Sequence, residues 1–109
     1  MMVRNNMDVV KDINEYIRVN KKLIDSEYSK IVNKSIDKET SDYEFIIASI
    51  YKEYLEYESY ISTDVYMFSN ANDVKKKISL FQSIFQTFHN IEELIERFKK
   101  AKQNFYMNR

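Results

Sequence analysis

The sequence predicts an all-α protein, an elongated up-down-up three-helix bundle. Three observations carry this. The 109-residue chain has no glycine and no proline, the residues that tight turns need most. Its apolar residues recur at alternating steps of three and four, the period of a helix buried along one face. Only short polar stretches separate the three segments in which they do so. A sheet protein of this length needs several tight turns, and this composition cannot supply them.

The first segment places Val10, Ile13, Ile17, Asn20, Ile24, Tyr28 and Ile31 on one stripe, which Val9, Tyr16 and Leu23 widen. A helix from about Asn6 to Ser35 follows. Asn20 is the polar member of the stripe, and a buried Asn in such a seam fixes helix register. The polar run Asp37–Ser41 closes this segment. Ser41 followed by Glu44 has the spacing of a capping box, so the second helix is predicted from about Asp42 to Phe68. Its core stripe reads Tyr43, Ile47, Ile50, Tyr54, Tyr57, Ile61, Val65 and Phe68. Asn70 or Asn72 then caps the third segment.

In that third segment the stripe is Val74, Ile78, Phe81, Phe85, Phe88, Ile91, Ile95, Phe98 and Phe105. The steps from Phe85 to Phe88 and from Phe88 to Ile91 are both three, a shortening that rotates an apolar stripe around its helix. It falls beside Asn90, which with Glu93 makes a second capping signal. One long helix is favoured, because no glycine or proline supports a sharp turn. The alternative is four helices, with the third segment broken near Asn90. Residues 1–109 are read as one helical domain.

With 44% hydrophobic and 31% charged residues, the chain has a globular composition. Alanine is scarce while Lys, Ile, Asn and Tyr are abundant, a pattern that points to an AT-rich source genome. There is no cysteine, which excludes disulfides and thiolate metal sites. No signal peptide or membrane-spanning segment is expected, so the default location is the cytoplasm. A net charge of zero argues against a general binder of nucleic acid or anionic membranes. The charge is uneven, however: +2 over residues 1–36, −6 over 37–68 and +4 over 69–109. Helices of opposite sign attract their neighbours.

Enzymatic chemistry finds little support. Glycine-rich nucleotide loops are excluded, and the single His89 has no glycine-flanked serine to activate. His89 and Glu93 share a helix face with Glu92 and Glu96 nearby, which makes a solvated acidic turn rather than a metal site. The run Glu92-Glu93-x-x-Glu96 resembles the first metal-binding motif of all-helical nucleoside-triphosphate pyrophosphohydrolases. That family's second motif, Glu-x-x-Asp on a later helix, is missing: thirteen residues follow Glu96 and none is acidic. A carboxylate-metal hydrolase assembled across an oligomer from Glu53, Glu56, Glu93 and Glu96 is the alternative reading. Nucleic-acid binding through Arg97, Lys99, Lys100 and Lys102 is a further one. No cofactor, metal or catalytic residue is assigned.

The second helix carries the feature with functional content. Phe45, Ala48, Lys52, Leu55, Ser59, Ser62 and Tyr66 also follow alternating steps of three and four, on the far side from Ile50 and Tyr57. Tyr51 and Tyr60 flank the core stripe. A helix in a simple three-helix bundle needs one stripe and a polar back. This second seam is suited to another helix, so Phe45, Tyr51, Leu55 and Tyr66 are the candidate interaction residues. The expected partner is a protein or a second copy of the chain. The expected function is non-enzymatic, of the inhibitor, immunity, antitoxin or chaperone type.

Overall fold

A computed structural model describes residues 6–32, 34 and 37–108, the side chains of Asn6 and Met7 excepted. Among these residues three helices form and no strand does: α1 (Asn6–Ile31), α2 (Lys38–Asn70) and α3 (Val74–Met107). Cross-helix contacts fix the topology. Glu53 of α2 meets Arg97 of α3, and Asp64 meets Ser83, so these two run antiparallel. Tyr16 of α1 packs on Phe88 of α3, and Glu27 meets Tyr106, so α1 and α3 run parallel. The bundle is therefore up-down-up. It measures 55 × 30 × 17 Å, with a radius of gyration of 17.1 Å. A compact domain of this length has a radius of about 13 Å, so the bundle is elongated.

Helix ends depart from the sequence expectation in instructive ways. α1 stops at Ile31 rather than near Ser35, which lies outside the described residues. α2 begins one turn earlier than Ser41. Its cap is Asp37, in extended conformation, whose carboxylate accepts from the Thr40 N–H at 2.7 Å. Ser41 is already helical, and its N–H donates to the Asp37 carbonyl. Two competent caps stand four residues apart. The earlier one lengthens the helix, adds buried Thr40 to its inner face, and puts Glu39 in the first turn, where the helix dipole favours a carboxylate.

At the next junction Asp73, neither Asn70 nor Asn72, caps α3 by accepting from the Lys75 N–H at 3.1 Å. Asn70 instead belongs to α2, and its amide bonds back to the Tyr66 carbonyl. α3 continues unbroken through Asn90. The Asn90 side chain accepts from Gln86 on the flank of the helix and caps nothing.

The core is one cluster. Val10, Ile13, Ile17, Ile24 and Ile31 of α1 face Tyr43, Ile47, Ile50, Tyr54, Ile61 and Phe68 of α2, as the stripes require. α3 differs. Its buried residues are Ile84, Ile91, Leu94, Ile95 and Phe98, whereas Val74, Ile78 and Phe85 are exposed. The rotation at Phe85–Phe88–Ile91 explains this. At 100° per residue, Val74, Ile78 and Phe85 lie about 100–140° around the helix from Ile91. A straight helix can present only one phase to the core. Ile84, one heptad before Ile91, takes that phase; Val74, Ile78 and Phe85 are turned outward, while Phe81 and Phe88 stay packed against the edge of the core.

Candidate interaction face

The outer side of α2 is built by the same geometry that buries its inner side. Phe45 lies directly opposite Tyr54, and Leu55 and Tyr66 follow on the same outer quarter. Phe45 is 74% exposed, Tyr66 71% and Leu55 39%. Lys52, Ser59 and Ser62 between them are exposed as well, and Ala48 is half-buried. The line therefore alternates large apolar side chains with small or flexible polar ones. No other described helix covers it, because the third segment is a single helix packed on the opposite face.

Tyr51 does not belong to this line. It is half-buried, and its ring stacks on Tyr28 of α1, with centroids 5.8 Å apart and planes 2° from parallel. It seals the α1–α2 seam. Asn20 is also half-buried, and its amide donates to the Tyr16 carbonyl one turn back in the same helix. That hydrogen bond lies within α1.

One buried polar contact that joins all three helices is not singled out by the sequence. Glu27 of α1 is 3% exposed. Its carboxylate accepts the hydroxyl of Tyr43 of α2 at 2.9 Å and that of Tyr106 of α3 at 3.1 Å. The legible signal is spacing: Glu27 stands three residues after Ile24 and four before Ile31, in phase with the core stripe. Burial, reinforced by Glu27, holds the Tyr43 hydroxyl far above the usual phenol range. Burial does the same to Tyr54, whose hydroxyl donates to the Ile17 carbonyl. Among the described residues, no buried side-chain nitrogen or oxygen lacks a hydrogen-bond partner.

The carboxylates considered for metal chemistry are dispersed. Glu53 and Glu93 line one shallow groove with Arg97, whose guanidinium bonds Glu53 at 2.8 Å. Glu56 and Glu96 do not line it. His89 is well exposed, with Nε2 3.3 Å from Glu93 and Nδ1 3.9 Å from Glu92. Among the described residues, no group of three His, Cys, Asp or Glu side chains is placed to hold a metal ion. A groove of about 580 Å³ lies between the start of α2 and the end of α3. Tyr43, Ile46, Ala101 and Phe105 form its apolar part, with Glu39 and Asp42 on one wall and Arg97 and Lys100 on the other. No described helix is long and apolar enough to cross a membrane.

No protein-family model matches the chain, and searches of curated proteins and of solved structures find no match.

Proposed function

We propose that this chain is a non-enzymatic interaction protein that binds a second copy of itself, or a helix of another protein, through the outer face of α2. One observation carries the reading. Phe45, Leu55 and Tyr66 form an apolar line along a helix whose inner face is already fully engaged in the core. Large apolar side chains left exposed along one helix face suit an interaction site, and tyrosine and phenylalanine are enriched at the centres of such sites. The alternating steps of three and four suit a second helix laid along the first. Small inhibitors, immunity proteins, antitoxins and chaperones, acting in the cytoplasm, are the protein classes this surface fits.

Replacing Leu55 with Glu tests the proposal, since Leu55 is partly exposed and lies outside the core cluster. The variant should stay helical and lose its partner. A partner held by the wild type and equally by Leu55→Glu places the interface elsewhere.

A further inference from the structure

We infer that the N-terminal half of α3 docks on an anionic phospholipid bilayer surface, lying along it with Val74, Ile78 and Phe85 toward the acyl boundary. This face is separate from the line of Phe45, Leu55 and Tyr66 on α2. Three observations converge on it. The stripe rotation turns Val74 and Ile78 out of the core, leaving them 69% and 54% exposed, with Phe85 beside them. Lys75 and Lys77 fall on opposite sides of this stripe, each about 80° from its midline at 100° per residue.

The third observation concerns charge. From Val74 to Ile91 the chain carries three lysines and no Asp or Glu. The zero net charge of the whole chain hides this, because the compensating carboxylates lie on other segments. The lysines also sit where helix stability disfavours them. They occupy the start of α3, next to the positive end of the helix dipole, and the first turn contains no acidic residue. The cap Asp73 offsets them in part, and Lys77 also lies over the Phe68 ring of α2, 5.9 Å from its centroid. Positions that break a local stability rule are where functional sites are to be looked for. An apolar stripe flanked by lysines is the pattern of a helix lying in the membrane interface, its cations reaching headgroup phosphates while their stems cover the apolar boundary. Juxtaposed lysines add to binding at an anionic surface and are screened by salt. Nucleic acid offers the same phosphate charge but no surface for Val74, Ile78 and Phe85.

Vesicle co-sedimentation tests this, with pure phosphatidylcholine and mixed phosphatidylcholine–phosphatidylglycerol vesicles at low and high salt. The wild type should pellet with the anionic vesicles at low salt and stay in the supernatant with the neutral ones. Replacing Lys75 and Lys77 together with Gln should weaken binding roughly 30-fold, at about 1 kcal/mol for each lysine beside the surface. Val74→Gln with Ile78→Gln should also weaken it with charge unchanged, and circular dichroism should show both variants as helical as the wild type. Leu55→Glu should bind vesicles like the wild type, which separates this face from the one on α2. The inference is overturned by equal binding to both vesicle types, by no binding to either, or by a Lys75→Gln/Lys77→Gln variant that binds undiminished. Retardation of duplex DNA that needs the lysines but not Val74 and Ile78, with vesicles ignored, overturns it as well.

Discussion

Glu27 and Tyr106 meet across 79 residues of sequence, with the tyrosine hydroxyl 3.1 Å from each carboxylate oxygen. Tyr43 donates to the same carboxyl group, so one buried side chain joins all three helices at the end of the bundle where α1 and α3 finish. A buried carboxylate is tolerated only when its lone pairs are satisfied.

Removing one donor should therefore be costly. Tyr43→Phe takes away a hydrogen bond to a charged, buried acceptor, a loss of about 2 kcal/mol, readable in denaturant melts. Tyr43→Phe combined with Tyr106→Phe should cost more than the sum of the two, because the carboxylate then loses both phenols. Strict additivity would mean that the two hydroxyls act on Glu27 independently.

The tyrosines also set an alkaline limit. Tyr43 and Tyr54 hold their protons above the ordinary phenol value of 10.0, chiefly through burial. A raised folded-state value means that the folded protein binds these protons more tightly than the unfolded chain does. Their contribution is complete below the unfolded value and declines as pH rises above it. Tyrosinate absorbance should resolve a late-titrating fraction of the nine tyrosines, Tyr43 and Tyr54 among them. Tyr43 and Tyr54 should ionise only at higher pH, together with loss of helix. A single titration of all nine with the helices intact contradicts their burial.

Helix capping gives a sharper local test. Asp37→Ala should cost about 1 kcal/mol, because the Thr40 N–H loses its acceptor. Ser41→Ala should change stability by less than about 0.5 kcal/mol, as expected of an exposed position within a helix. Thermal melts of the two variants distinguish them. The reverse order would put the start of α2 back at Ser41.

What the sequence made legible follows from what periodicity encodes. The Val10 and Ile positions of the α1 stripe were readable, because they repeat in one phase and a neighbouring pair of helices covers them. Leu23, read as widening the stripe, is instead 52% exposed. The α3 stripe was readable as a stripe but not as core. Spacing locates Val74, Ile78 and Phe85 on one face without saying which helix, if any, reaches them. Ser41 was misread because Asp37 and Ser41 are chemically equivalent caps, and only the packing of the extra turn decides between them. Glu27 was missed because a carboxylate is normally a solvent residue. Its burial depends on Tyr43 and Tyr106, partners far away in sequence. Of the four candidate interaction residues, Phe45, Leu55 and Tyr66 share the outer face of α2. Tyr51, one turn from Leu55, points instead to Tyr28, because its phase lies on the α1 side of the helix.

The outer face of α2 is the central claim, and light scattering of the wild type beside Leu55→Glu tests it most directly. The wild type should run above the monomer mass, and Leu55→Glu should fall to the monomer mass with an unchanged helical circular dichroism spectrum. A wild type that stays monomeric, together with a Leu55→Glu variant that unfolds, would show instead that this face belongs to the chain's own core.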